Sequence, residues 1–276
     1  MTTNLSPTLI LFDIDGTLVG HSGEPTDRVR AALQAAQARG VHIALCTGRP
    51  MASCGPIARG LGLHGPHVVF NGALVKDPEN GRVVLERSLP MAAARRVIAY
   101  CREHGICCEL YTEETHFVEQ DWRESRLHAI SIHVTYEFGD FDELLKLGEP
   151  VKLQVITGDD RARKLVARLA DDMRGEVGIS WAIPMPPAVD MECVNIVHPA
   201  ASKGEAVKAL TAYFGLDQAQ VMGAGDAPND LPLFEAVGYR IAMGNADARL
   251  KAMADYIAPD VNEDGLAAAL EDLLLR

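Results

Sequence analysis

Apolar positions along this chain fall into two rhythms. Thr8 to Phe12 is a short, nearly continuous apolar run that stops at Asp13, the pattern of a strand covered on both faces. Pro25 to Arg39 then carries Val29, Leu33 and Ala36 at helical spacing. It closes at Gly40 and leads into a second apolar run, Val41 to Cys46, ending at Thr47. This is a strand, helix, strand unit. His67 to Phe70 predicts a third short strand ending at Asn71-Gly72. The turn cluster Asp77-Pro78-Glu79-Asn80-Gly81 predicts a hairpin behind it.

From about Glu86 to Ile196 the rhythm changes. Helices are predicted at Met91 to Cys101 and Asp159 to Met173, mixed with alternating strands such as Val151 to Ile156 and Val189 to Ile196. That mixture predicts a separate α+β insert. After His198-Pro199 the first rhythm returns: a helix Lys203 to Phe214, a strand Val221 to Gly223, a helix around Leu231 to Val237 and a strand Tyr239 to Met243. Ser202-Lys203-Gly204-Glu205 has capping-box spacing, which makes Ser202 the cap and sets Lys203 in the first helical turn. The pattern therefore predicts an α/β protein: a Rossmann-like, doubly wound, mostly parallel core formed by residues 1–85 and 197–276, with an α+β cap domain inserted at 86–196.

Composition narrows the class without changing that picture. The 276 residues are 48% hydrophobic and 23% charged, the profile of a folded domain. No run approaches the roughly 18 apolar residues of a membrane span, and Met1 to Pro7 has neither a basic nor an apolar segment, so a cytoplasmic protein is expected. The six cysteines include no C-x-x-C pair, and Cys107-Cys108 does not fit zinc spacing; buried, reduced thiols are expected. A net charge of −12 disfavours nucleic acid partners, and with no long apolar run no membrane partner is expected either. That charge repels a small phosphorylated substrate too, so any such site needs concentrated local positive charge from a metal and basic side chains.

The candidate chemistry lies where predicted strands end. Asp13, Thr47 and Asp226 each follow one, and such folds bind ligands at that edge. Two aspartates one residue apart on a strand point to opposite faces, so Asp13 and Asp15 share a site only if the chain turns at once, which Gly16 permits. Asp13 is then positioned as a nucleophile and Asp15 as the general acid and base. Taken alone, the same residues are also common turn formers. Mg2+ takes one or two carboxylates among oxygen ligands, and Asp13 and Asp226 supply two. A main-chain carbonyl near Asp15 adds a third oxygen, while Asp230, one turn past Asp226, orients ligands from behind. Asp226 or Asn229 also fits the role of a helix cap. Thr47 and Gly48, with a hydroxyl and an exposed amide, and Lys203, with an ammonium at a helix start, fit phosphate binding. Arg49 fits either substrate binding or a structural ion pair.

As a set, LILFDIDGTL, ALCTGRP, NGA at Asn71 to Ala73, SKGEA, GAGDAPND, IAMGNA and EDGLAAAL resemble the haloacid dehalogenase-like superfamily, specifically its Cof-type phosphatases with a type IIB cap. The resemblance runs from near the N-terminus to near the C-terminus and is weakest in the insert. It implies Mg2+-dependent hydrolysis of a small phosphorylated metabolite, such as a sugar phosphate or a phosphorylated cofactor like pyridoxal phosphate or flavin mononucleotide. By the same resemblance, Asp13 is the nucleophile and Asp15 the acid/base. Thr47 and Lys203 hold phosphate, Asp13, Asp15 and Asp226 hold the metal, and Asn229 and Asp230 match the acidic fourth motif. Pro228 inside GDAPND is the departure from the pattern. A phosphomannomutase-like phosphotransferase and a non-catalytic phospholigand-binding protein are the alternatives. The histidines and the aromatics Tyr111, Trp122 and Trp181 read as structural.

Overall fold

Leu9–Phe12 is apolar at every position and buried at every position, so it needs cover on both faces. It lies between Val221–Gly225 and His42–Leu45 in a five-stranded parallel sheet with the order Tyr256–Ile257, Tyr239–Ala242, Val221–Gly225, Leu9–Phe12, His42–Leu45. Each of its four side chains contributes about 1.5–3 kcal/mol through burial. This computed structural model describes residues 7–182, 187–188 and 190–275. The predicted start of a strand at Val189 lies outside the described residues, and the strand itself spans Glu192–Val197.

Two units emerge. The first comprises Met1–Thr47, Cys54–Leu85 and Ser202–Arg276; the second comprises Gly48–Ser53 and Glu86–Ala201. The second join falls after residue 196 because Glu192–Val197 belongs wholly to the inserted sheet, and the chain leaves the unit only at Ala201.

In the first unit, helix Asp27–Ala38 buries Val29, Ala32, Leu33 and Ala36 as one stripe, and the Thr26 hydroxyl accepts from the Val29 amide at 3.2 Å. Losing that cap would cost about 1 kcal/mol. The sheet order reverses between Leu9–Phe12 and Val221–Gly225, which makes their carboxyl ends the topological switch point of the fold. Val221–Gly225 outruns its predicted end at Gly223, since the missing side chain at Gly225 leaves room for Asp230; a Cβ there would lie 2.6 Å from the Asp230 Cγ.

His67–Val69 pairs antiparallel with Leu74–Lys76 in a separate three-stranded sheet and meets the parallel set through a bridge from Val68 to Cys46 and the Leu45 amide donating to His67 Nδ1 at 3.3 Å. It stops one residue before the predicted end because Phe70 and Asn71 adopt positive φ (52° and 54°).

The second unit is a six-stranded sheet ordered Gly178–Ala182, Glu192–Val197, Lys152–Thr157, Cys107–Tyr111, His116–Val118, Glu137–Phe138. Its strands pair antiparallel except the last pair. One face is hydrocarbon: Cys108, Leu110, Leu153, Val155, Val194 and Ile196 pack with Val97 and Ile98 of helix Met91–His104 and Val166 and Leu169 of helix Asp160–Asp172. Helices Arg123–Ser131 and Phe141–Leu147 complete it. Among the described residues no helix is long and apolar enough to cross a membrane.

Candidate active site

Asp13 leaves the strand Leu9–Phe12 still in register, its amide donating to the Ala224 carbonyl at 3.1 Å. The chain then folds back: the Leu18 and Val19 amides both donate to the Ile14 carbonyl at 2.9 Å, and Gly16 sits at φ +82°. Only glycine fits there, because a Cβ would collide with the Asp226 carboxylate. The turn thus brings one acidic strand tip against the next. Thr17 locks the contact, its hydroxyl donating to Asp226 Oδ1 at 2.8 Å.

Asp13, Asp226 and Asp230 form the one carboxylate group of this kind among the described residues, each offering an oxygen within 4.8 Å of the others. Lys203 closes it. Its ammonium, buried at the start of helix Lys203–Tyr213, donates to Asp13 Oδ1 at 2.8 Å and to Asp230 Oδ1 at 2.6 Å. The Ser202 hydroxyl accepts from the Glu205 amide at 3.1 Å, fixing the helix end from which Lys203 projects.

With all three ionised, the buried Asp13 and Asp230 and the half-buried Asp226 would leave a formal excess of two negative charges against the one ammonium. The electrostatics register that excess. Burial, with the charges of Asp230 and Asp15, pushes Asp13 up to about 7 despite Lys203. Burial, with Asp13 and Asp230, pushes Asp226 up to about 8. Burial pulls Lys203 down, but the two carboxylates outweigh it and hold the ammonium well above the usual lysine value. A hard dication suits this donor set: oxygen ligands, a net charge of opposite sign, and two carboxylates that ionise reluctantly without it.

Asp13 and Asp226 are the carboxylates free for such an ion. Asp230 is spent: Oδ1 takes Lys203, and Oδ2 accepts from the amides of Asp226 and Ala227, each at 3.0 Å. It therefore aims Lys203 and the Asp226 backbone. The turn Pro228–Asp230 begins after Ala227, and it is the Asp230 carboxylate, not a side chain of Asp226 or Asn229, that accepts from the Ala227 amide there. Asp15 is half-buried and lies outside the three-carboxylate group.

Thr47 is buried at the tip of the second strand, its amide bonded to the Val68 carbonyl at 2.9 Å and its carbonyl to the Asn71 amide at 3.0 Å. The Asn71 side chain in turn accepts from Asn229 Nδ2 at 3.1 Å. Gly48 and Arg49 belong to the second unit, where Arg49 is buried and its Nη1 donates to the Ser53 hydroxyl at 3.1 Å. Three contributors had no assigned part in the sequence reading: Thr17, Asn71, and Asn245, whose Nδ2 donates to the Gly16 carbonyl at 2.8 Å. The available signal was position, since all three sit inside the motifs FDIDGTL, NGA and MGNA.

Residues 10–270 match the model of the haloacid dehalogenase-like hydrolase family. The chain belongs to that family. It is 33% identical to YxeH of Bacillus subtilis (strain 168), over 97% of this chain and 98% of that protein. It is 26% identical to the 5-amino-6-(5-phospho-D-ribitylamino)uracil phosphatase YitU of the same organism, over 96% and 97%. The solved structure of the HAD subclass IIB sugar phosphatase BT4131 superposes with a TM-score of 0.80 at 24% identity, covering 96% of this chain and 98% of that one, which shows the shared fold. The family member described here is an enzyme, a hydrolase of the phosphatase kind.

Proposed function

We propose that this hydrolase is a Mg2+-dependent phosphatase that cleaves a small phosphorylated metabolite, a sugar phosphate or phosphorylated cofactor, through an aspartyl-phosphate on Asp13. The observation that carries the reading is the group of Asp13, Asp226 and Asp230 around Lys203, with its formal excess of two negative charges. The small-metabolite class draws support from the phosphoribitylamino compound in the name of YitU and the sugar in that of BT4131.

Lys203 on Oδ1 fixes the rotamer of Asp13, and we assign Oδ2 to the attack on phosphorus. Asp15 gives its proton to the leaving oxygen, then takes one from the water that cleaves the acyl phosphate and restores Asp13. Thr47 and Lys203 hold the transferring group, with Gly48, Arg49 and Asn229 in the wider binding set. Asp230 keeps Lys203 aimed. Asp13 and Asp226, with the Asp15 main-chain carbonyl, would hold a magnesium ion, which would supply positive charge against the transferring phosphoryl group. A cytoplasmic location belongs to the same proposal and is supported by six buried free thiols.

Release of inorganic phosphate from an aryl phosphate tests this. Activity should appear with magnesium, vanish with chelator, and fall at least about 10⁴-fold in Asp13→Asn. An Asp13→Asn enzyme as fast as wild type sinks the mechanism, and isomerised sugar phosphate without free phosphate would replace hydrolysis by transfer.

A further inference from the structure

The second face of the inserted sheet is polar yet buried. By register Tyr111 lies opposite Lys152, Glu109 opposite Gln154, and Gln154 opposite Asn195. Lys152, Gln154 and Asn195 are only 3%, 1% and 6% exposed. One acid on this face is matched: Glu109 Oε2 is bonded by His128 Nδ1 at 2.9 Å and by the Tyr111 hydroxyl at 2.7 Å. Lys152 has no such match. Its ammonium donates to the neutral Asn195 Oδ1 at 2.7 Å, stands 4.9 Å from the centre of the Tyr111 ring, and reaches the Gly48 carbonyl only at 3.5 Å. It forms no ion pair with any described carboxylate. Burial pulls Lys152 down to about 8, and Cys193 and Glu109 offset this only in part.

Two more atoms on the same face lack partners. Gln154 Nε2, two residues along the strand from Lys152, has no acceptor, and Glu109 Oε1 has no donor. Each such atom carries a desolvation cost, and an unpaired ammonium carries a larger one. One kind of molecule meets all three demands: negative oxygens for Lys152 and Gln154, and a hydroxyl for Glu109.

We propose that Lys152 and Gln154, with Asn195 orienting the ammonium, bind a small oxyanion that carries a hydroxyl, such as a hydroxycarboxylate or a hydrogen phosphate group. The weak contact to the Gly48 carbonyl is the one the ligand displaces. A free effector carries that chemistry.

Thermal unfolding of the full-length, metal-free protein in glycolate or inorganic phosphate, against chloride of equal ionic strength, tests the site. Wild type should gain about 2–4 °C in Tm with either oxyanion. Lys152→Met removes an unmatched charge while keeping the shape. It should raise the ligand-free Tm and abolish the gain from glycolate. Asn195→Asp should do the same by giving Lys152 a carboxylate. A lower ligand-free Tm in Lys152→Met, or a glycolate response that survives both substitutions, overturns the proposal. A glycolate effect on wild-type turnover that is lost in Lys152→Met identifies the ligand as an effector. The Tm readout does not depend on Asp13 chemistry, so either reading can fail alone.

Discussion

The two units each bury a charged cluster, and the clusters are opposite in sign. Around Lys203, three carboxylates share one ammonium and the remainder is negative. Around Glu109, one carboxylate is paired with His128, Lys152 stands without an acid, and the remainder is positive. Taking charge out of water is tolerable only when something balances it. The residual charge of each cluster therefore names the kind of ligand that completes it, a cation in the first unit and an oxyanion in the second.

The largest test of that contrast is Lys203→Met. It leaves Asp13 and Asp230 with no counterion, and breaking a buried pair from one side costs about 3–5 kcal/mol. Urea unfolding in chelator should show that loss, and excess magnesium should narrow it. Lys152→Met points the other way, to a stabler ligand-free protein. If both lysine variants are destabilised alike, residual charge is not what distinguishes the clusters.

Next in size is Glu109→Gln, expected to cost about 3 kcal/mol near pH 6 by stranding His128. The pH dependence sharpens this. Burial raises Glu109, but His128 outweighs it and brings it from 4.5 down to about 2. Burial lowers His128, but Glu109 outweighs it and brings it from 6.5 up to about 10. A depressed carboxylate stabilises above its unfolded value, and a raised histidine stabilises below its own. The pair therefore contributes fully between about pH 4.5 and 6.5. Its contribution fades toward pH 2 on the acid side and toward pH 10 on the alkaline side. In Glu109→Gln that part of the stability profile should flatten; an unchanged profile would mean the pair is not ionised as drawn.

How far these clusters could be read from the residue order differs between them. In the first unit, apolar runs ending in Asp13, Thr47 and Asp226 mark strand tips, and a doubly wound sheet gathers tips at one edge, so the acids and Lys203 were legible. The Ser202 cap was legible for a local reason, its spacing to Glu205. The bonding of Asp230 was not, because it hangs on the close approach that Gly225 allows. In the second unit, Cys107–Tyr111 is buried on both faces, so alternation could not tell that Glu109 faces inward. Helix Arg123–Ser131 buries Ser125, His128, Ala129 and Ser131, a stripe too polar to show as apolar periodicity.

The smallest effect separates the two clusters most finely, because each contains a hydroxyl donating to a carboxylate. Thr17 donates to Asp226 at 2.8 Å, and Tyr111 donates to Glu109 at 2.7 Å. Removing either hydroxyl with the shape kept, as Thr17→Val or Tyr111→Phe, should cost stability by only about 1 kcal/mol. Their functional consequences should part. Asp226 is assigned to magnesium, so loosening it should weaken magnesium activation about 10–100-fold with little change in the rate at saturating metal. Glu109 lies outside the carboxylate group proposed for the metal, so Tyr111→Phe should leave the magnesium titration where it was. Phosphate release measured across magnesium concentrations decides the point. Equal titrations for Thr17→Val and wild type would remove Asp226 from the metal set, and with it the reason the first cluster carries its negative excess.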